Sequence, residues 1–143
     1  MADPRDMIRK EEPTSDDPSI VNPLNGEPME RLNVGGVSID RCPKTGAIWL
    51  DQGELARLAL MDADNKGLLK ELDQPIPNVA RRAQRGALKS PKTGEPMMVV
   101  TDPQQKHVEF EVCRDSGGIF FDSGELADLV EYTFKERLKS FFG

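Results

Sequence analysis

Two cysteines, one histidine and two pairs of carboxylates are the side chains of this sequence whose types and spacing could do chemistry. Cysteine thiolates bind soft metals or act as nucleophiles, and two nearby carboxylates could share acid–base work. These residues are Cys42 and Cys113, His107, the pair Asp51 and Glu54, and the pair Asp122 and Glu125. No nucleophile motif and no phosphate-binding glycine loop accompanies them in the sequence. We therefore expect that the protein is not an enzyme.

The cysteines and the histidine have a simple structural interpretation. Cys42 and Cys113 are expected to be small buried residues at equivalent corners. A disulfide between them and a metal site that they share with His107 are the open alternatives. The absence of a Cys-x-x-Cys motif disfavours redox catalysis. We interpret His107, which lies beside glutamates in an alternating segment, as a solvated strand residue.

The carboxylate pairs have the spacing of helix caps. In Asp51-Gln-Gly-Glu54 and Asp122-Ser-Gly-Glu125, the aspartate is placed to accept a free backbone N–H at the start of a helix. The glutamate three residues later can reach back to the backbone N–H of the aspartate. Each cap should stabilise its helix by roughly 1 kcal/mol. Capping therefore explains these four residues more simply than catalysis does.

The elements that position these side chains occur twice in the chain. Residues 42–58 and 113–129 share Cys, Gly, Ile, an aromatic residue, Asp, Gly, Glu, Leu, Ala and Leu at a constant offset of 71. Upstream, residues 22–29 align with residues 90–97 at an offset of 68. A repeat of this length is usually one structural unit that has been copied. The three extra residues of the second copy are expected in a turn around residues 103–106.

Apolar residues alternate on both sides of Gly35-Gly36, which predicts a β-hairpin, and a third short strand is expected at residues 48–50 and 119–121. Helical spacing after each cap predicts a helix, and the second helix is expected to run nearly to the C-terminus. The sequence therefore predicts an α+β fold of two repeats, each a small antiparallel hairpin or three-stranded sheet followed by a capped α-helix, with a long C-terminal helix. The expected boundaries are a flexible acidic tail at 1–19, a first repeat at 20–73, a basic linker at 74–89 and a second repeat at 90–143.

Composition limits the classes of function. The chain has 143 residues and a net charge of −6, which argues against a nucleic-acid-binding surface over the whole molecule. Only 37% of its residues are hydrophobic, and units as small as each repeat usually need a metal, a disulfide or a partner. We expect no signal peptide, because the N-terminus is charged and lacks an apolar stretch, and the sequence shows no apolar run of about 20 residues. We therefore expect a cytoplasmic protein without a membrane span.

The repeated residues resemble the transcription-factor-IIB-type zinc ribbon, a family found in many small bacterial proteins. The family pattern contains Cys-Gly-Gly-x-Trp-Leu-Asp-x-Gly-Glu-Leu, and the resemblance covers about residues 22–58 and 90–129. The matching residues are Pro43, Gly46, Trp49, Leu50, Asp51, Gly53, Glu54 and Leu55 in the first copy, and Gly117, Gly118, Asp122, Gly124, Glu125 and Leu126 in the second. The resemblance implies two zinc-ribbon-like repeats.

The sequence departs from this family at the metal ligands. The family holds zinc with four thiolates, and the equivalent positions here are Asn22, Asn25, Cys42 and Thr45 in the first copy and Ser90, Thr93, Cys113 and Ser116 in the second. Amides and hydroxyls are poor zinc ligands, so we expect no metal and no other cofactor. Asn, Ser and Thr hydrogen-bond their own backbone in tight turns. We therefore hypothesise that side-chain hydrogen bonds replace the metal bonds at these corners.

These observations favour a non-catalytic protein–protein interaction module or a small accessory subunit of a larger assembly, with a protein partner or a homo-oligomer as its complex. The alternative is a transcription-associated or nucleic-acid-binding ribbon, which the acidic composition opposes. Candidate interaction residues are large aromatics and the arginines of the basic linker. They are Trp49, Phe120, Phe121, Phe141, Phe142, Arg81, Arg82 and Arg85.

Overall fold

The computed structural model describes residues 3–77, 88–101 and 109–129. These residues form seven β-strands, three α-helices and one 3-10 helix at Pro4–Met7. The strands are β1 Ile8–Lys10, β2 Glu30–Val34, β3 Val37–Arg41, β4 Ile48–Leu50, β5 Met98–Thr101, β6 Glu109–Val112 and β7 Ile119–Phe121. The helices are α1 Glu54–Asp64, α2 Leu68–Leu72 and α3 Glu125–Leu129.

The β2–β3 hairpin forms where the sequence predicts it. Gly35 and Gly36 have φ values of 57° and 97°, which residues with a side chain rarely adopt, so the glycine pair allows a tight turn. The side chain of Asn33 accepts the Gly36 backbone N–H at 2.9 Å and closes this turn. Alternation then places Leu32 and Ile39, which are paired across the hairpin, on the same face of the sheet, where both belong to one buried apolar cluster.

All seven strands belong to one antiparallel sheet, in the order β1-β2-β3-β4-β7-β6-β5. The two parts of the sheet meet where β4 pairs with β7, and Trp49 lies opposite Phe120 at the centre of this pairing. These two residues occupy equivalent positions in the sequence repeat, since they are 71 residues apart. The junction therefore has the self-complementary pattern of a twofold-symmetric interface, formed within a single chain.

Alternation along β4 and β7 divides the core between the two faces of the sheet. One face carries Ile48, Leu50 and Phe121, which lie in a large buried cluster with residues of α1, α2 and α3. The opposite face carries Trp49 and Phe120, which lie in a smaller buried cluster with both cysteines. Trp49, Phe120 and Phe121 have no exposed surface, so these three predicted interaction residues are core residues.

The predicted α+β fold is wrong. The described residues form one mainly β structure with a seven-stranded sheet, and its helices contain 11, 5 and 5 residues. The two predicted three-stranded sheets do not stay separate, because β4 and β7 are three-residue strands that satisfy their outer backbone groups by pairing with each other. Where the sequence predicts a long C-terminal helix, the structure describes only α3. Residues 130–143, which include Phe141 and Phe142, lie outside the described residues.

The N-terminal segment also differs from the prediction of a flexible tail. Its described part, which begins at Asp3, contains the 3-10 helix and β1, which pairs with β2 at the edge of the sheet. Further along, Asp17 approaches the buried guanidinium of Arg31 at 3.1 Å, and Asp40 binds the same group at 3.0 Å. A buried guanidinium is costly without partners, so Arg31 ties the segment to the sheet. Composition alone gave no sign of this contact.

The close approach of Gly118 to Trp49 gives the first prediction. A Cβ atom on Gly118 would overlap the indole ring and come within 2.6 Å of Cη2 of Trp49. The equivalent residue of the first copy is Ala47, which lies in the same buried cluster as the smaller ring of Phe120. We expect Gly118→Ala to lower the free energy of unfolding by about 1–3 kcal/mol through overpacking. Urea unfolding measures this change.

The same contact predicts a coupled rescue. Trp49→Phe removes the part of the ring that Gly118→Ala would strike, so the double variant should be more stable than the two separate effects predict. The coupling energy expected from a double-mutant cycle is at least about 1 kcal/mol. Additive effects of the two substitutions would show that the glycine does not accommodate the indole.

Candidate functional site

The candidate site consists of two pairs of tight turns, one pair in each copy. We call the turns at residues 22–26 and 42–46 the first turn pair, and those at 90–94 and 113–117 the second turn pair. Each turn ends in a glycine with φ between 73° and 83°. The N–H of that glycine donates to the carbonyl four residues earlier, at 2.7 to 2.9 Å. Left-handed glycines of this kind let the chain reverse direction without strain.

The polar side chains at the predicted ligand positions bond to the backbone of their own turns. Each accepts the backbone N–H two residues later, which is the geometry of Asx and Ser/Thr turns. The bonds are Leu24 N–H to Asn22 at 2.9 Å, Glu27 N–H to Asn25 at 2.9 Å, Ala47 N–H to Thr45 at 3.2 Å, Lys92 N–H to Ser90 at 3.1 Å, Glu95 N–H to Thr93 at 3.2 Å and Gly118 N–H to Ser116 at 3.1 Å. Side-chain oxygens therefore stabilise these corners.

The two turns of each pair also contact each other through these side chains. In the first pair, Nδ2 of Asn22 donates to Oγ1 of Thr45 at 3.1 Å. In the second pair, Oγ1 of Thr93 lies 3.7 Å from Sγ of Cys113. Residues from two separate turns thus converge on one point, as metal ligands would. Each turn pair has only one cysteine, and its amide and hydroxyl oxygens already accept backbone N–H groups. These two sets of donor atoms therefore do not fit zinc.

Both thiols are free and buried in the described part of the chain. Burial opposes ionisation of Cys113, but hydrogen bonds from Ser116 and Ser90 outweigh it and lower the pKa of this thiol to about 7. The pKa of Cys42 is also lowered, because hydrogen bonds from Thr45 and Asn22 outweigh its burial. The polar side chains of each turn pair therefore favour ionisation of the buried cysteine at that corner.

The described residues offer no cluster of metal-ligating side chains other than the turn pairs. Across residues 3–77, 88–101 and 109–129, no three His, Cys, Asp or Glu side chains come together as a metal site. His107, which the sequence offered as a third ligand beside the two cysteines, lies outside these ranges. The arginines of the basic linker, Arg81, Arg82 and Arg85, lie outside them as well.

The glutamates of the carboxylate pairs reach back as the capping pattern predicts. Oε1 of Glu54 accepts the Asp51 N–H at 2.6 Å, and Oε1 of Glu125 accepts the Asp122 N–H at 2.7 Å. The aspartates act differently from the prediction. Asp51 accepts the indole N–H of Trp49 at 2.9 Å, and α1 begins after Gly53, which has no side chain to cap it. The capping pattern did not predict the bond between Asp51 and the indole, because that pattern begins at Asp51 and Trp49 precedes it.

The carboxylate of Asp73 caps α3 from a distant part of the chain. It accepts the N–H of Gly124 at 2.9 Å and the N–H of Ala127 at 3.0 Å. Asp122, the predicted cap residue, instead accepts the N–H of the adjacent Ser123 at 2.9 Å. Asp73 follows α2 directly and precedes α3 by about fifty residues, so no local sequence signal could identify it. A short helix gains most from such a cap because most of its N–H groups lack partners within the helix.

Comparisons of this chain with family models, with curated proteins and with solved structures find no match. The resemblance to a zinc ribbon therefore remains a prediction from the residues themselves. Within the described ranges, no helix has both the length and the apolar character needed to cross a membrane.

The partly buried carboxyl of Glu54 gives a prediction for pH dependence. Burial raises its pKa from 4.5 to about 7. A carboxyl whose pKa is raised by folding stabilises the folded state fully below pH 4.5 and loses this contribution as the pH rises through about 7. Glu54→Gln keeps the acceptor oxygen but cannot ionise. We therefore expect the stability of this variant relative to the native protein to increase between pH 4.5 and 7.

Chemical unfolding at a series of pH values measures this difference. Glu12→Gln, at an exposed position of the N-terminal segment, is the matched control and should show no such trend. Parallel pH profiles for Glu54→Gln and the native protein would contradict the assignment.

The convergence of the turn positions gives a further prediction. The triple variant Asn22→Cys, Asn25→Cys and Thr45→Cys adds three thiols around Cys42. We expect it to bind about one zinc ion in tetrahedral geometry, because the backbone already brings the four positions together. Elemental analysis and the absorption spectrum of the cobalt-substituted protein measure this. The control adds Cys42→Ser to the triple variant and should bind far less tightly. A folded triple variant without stoichiometric zinc would exclude ribbon-like geometry at this turn pair.

Proposed function

We propose that this protein is a non-catalytic protein–protein interaction module, or a small accessory subunit of a larger assembly, built on a metal-free scaffold that resembles a zinc ribbon. One contrast carries the proposal. In the described part of the chain, the two cysteines and the carboxylate pairs are engaged in turns, caps and the core, whereas apolar side chains are exposed on the edge strand β5. There Met98 is 41% exposed and Val99 is 40% exposed.

The two edges of the sheet support the same proposal because they differ in character. Edge strand β1 has three residues and exposes Arg9 and Lys10, charges that discourage pairing with another strand. Edge strand β5 carries no charged residue from Met98 to Thr101. An uncharged apolar edge offers backbone N–H and C=O groups to an added strand. A protein partner is the class of ligand that uses such groups.

The alternative is a nucleic-acid-binding ribbon. The net charge of −6 disfavours it, because phosphate contacts need clustered lysines and arginines. A protein partner carries no such electrostatic cost. The proposal places the protein in the cytoplasm, where its two free thiols would remain reduced.

Capture experiments test the proposal. We expect the tagged full chain to retain a protein partner, either another protein or an added untagged copy. Val99→Lys should reduce the amount of captured partner at least tenfold. Leu60→Lys is the matched control, because Leu60 is also an exposed apolar residue, 55% exposed, on helix α1. A captured partner must then be purified and shown to bind directly.

Two results would contradict the proposal. One is that the protein binds neither another protein nor itself in these experiments. The other is tight binding of a labelled DNA or RNA duplex at low salt with a steep loss at higher salt, which would favour the nucleic-acid alternative.

A further inference from the structure

We propose that the partner of edge strand β5 is β5 of a second copy, paired antiparallel about a twofold axis at Val100. This inference rests on the proposed interaction function and names its partner. The two seven-stranded sheets would then form one continuous sheet. The inference is drawn from the hydrogen-bonding pattern of the equivalent edge in the first copy, from the side chains of β5 and from the internal junction between β4 and β7.

The first copy shows how this type of edge accepts a strand. On β2, the carbonyl of Arg31 accepts the N–H of Glu11 at 3.0 Å, and the N–H of Gly35 donates to the carbonyl of Met7 at 3.0 Å. Alternate residues of β2, starting at Arg31, thus direct their backbone groups towards β1. The sequence offset of 68 relates Arg31 to Val99 and Asn33 to Thr101. Val99 and Thr101 therefore present the outward backbone groups of β5.

These outward groups limit the registers that a symmetric pair can adopt. In an antiparallel ladder, residues that exchange hydrogen bonds lie opposite each other. Two symmetric registers place outward residues opposite each other, with Val99 facing either Thr101 or Val99 of the second copy. In the latter, Thr101 would face Met97, whose N–H already donates to the carbonyl of Leu88 at 2.8 Å. We therefore place Val99 opposite Thr101 and Val100 opposite Val100 of the second copy. All of these side chains are β-branched, and such cross-strand pairs stabilise sheets. β5 carries no charged residue from Met98 to Thr101, so the paired strands bring no like charges together.

The side chains of β5 favour a second copy over a strand like β1. Val99 lies on the sheet face of Trp49 and Phe120, because it is paired with Glu111 and Glu111 is paired with Phe120. The neighbouring Met98 therefore lies on the opposite face. Both are exposed, so the added strand should be apolar on both faces. β5 meets this requirement, whereas β1 carries exposed Arg9 and Lys10.

The chain already contains a junction of this kind. At the pairing of β4 with β7, two segments that are equivalent in the repeat lie antiparallel with equivalent residues, Trp49 and Phe120, at the centre. The proposed contact between β5 strands repeats this arrangement between molecules, with Val100 at the centre. The proposed contact differs from the internal junction because β5 has four residues and exposed side chains. Two such strands alone would form a small interface. We therefore expect a dissociation constant in the micromolar range or weaker, as small interfaces usually give.

Net charge adds a measurable signature. Each copy carries a charge of −6, so two copies repel each other, and dissolved salt screens this repulsion. Raising the salt concentration should therefore strengthen the dimer. Contacts between opposite charges would show the reverse dependence.

Sedimentation velocity on the full chain at about 5–500 μM, at low and moderate salt, tests the proposal. We expect a monomer–dimer equilibrium that shifts towards dimer as the salt concentration rises. Val99→Lys should weaken the dimer at least tenfold, and Leu60→Lys should leave the dissociation constant unchanged. Thr101→Pro should also yield a monomer, because it removes an N–H that faces outward in the monomer, and proline is tolerated at such edge positions. Circular dichroism confirms that each variant is folded.

Cross-linking tests the register. Opposed residues of a non-hydrogen-bonded pair have Cα atoms about 4.5 Å apart, within the range that a disulfide requires. Val100→Cys should therefore form a covalent dimer under mild oxidation. Val99→Cys is the matched control and should cross-link far more slowly, because Val99 faces Thr101. Cys42 and Cys113 are buried and should not compete.

Three results would overturn the inference. They are a protein that stays monomeric at all concentrations, a dimer that persists in Val99→Lys but is lost in Leu60→Lys, and faster cross-linking through Val99→Cys than through Val100→Cys. If the monomer instead captures a different protein through Val99, the proposed interaction function stands and the second copy as its partner is excluded. If neither is bound, both fail.

Discussion

The structure depends on the pairing of β4 with β7. Each strand has three residues, and each contributes a fully buried aromatic ring at the centre of the pair, Trp49 or Phe120. Isolated units of this size have thin cores and usually need a metal or another staple. Pairing the two short strands gives each copy a neighbour that completes its backbone hydrogen bonds and covers its apolar side chains. The sheet thereby gains one continuous core cluster beneath its helices and a second around the two cysteines.

This junction bears on how the corners of the turn pairs are held, where Asn, Ser and Thr stand at most of the positions that the resemblance to a zinc ribbon assigns to thiolates. Six polar side chains accept backbone N–H groups within their own turns, so hydrogen bonds within the chain give the corners a defined shape. A single neutral hydrogen bond contributes only about 1 kcal/mol of net stability. The corners are therefore held locally, and the global stability must come from the packing of Trp49, Phe120 and the residues around them. The two buried thiols take part in this arrangement as small core residues that accept hydrogen bonds.

Local features of the fold could be predicted from the sequence, because the side chains that create them are neighbours in the chain. The turn at Gly35-Gly36 and the backward reach of Glu54 are of this kind. The union of the two sheets, the addition of β1 and the cap from Asp73 could not be predicted, because they join residues that are distant in sequence and leave no periodic pattern. The aromatic residues show the same limit. Trp49 and Phe120 were equally suited to a surface or a core, and only the pairing of β4 with β7 decides between them.

The unequal fit at Gly118 and Ala47 makes the two copies non-interchangeable. Two first copies facing each other would push Ala47 against an indole that has room only for glycine, whereas two second copies would leave a void beside the phenyl ring of Phe120. Repeat proteins are prone to exchange equivalent segments between neighbouring chains while they fold. Here, the wrong combination of halves is penalised by shape at the centre of the sheet. The small departure from symmetry thus acts as a steric filter that favours the pairing of a first copy with a second copy over the pairing of two like copies.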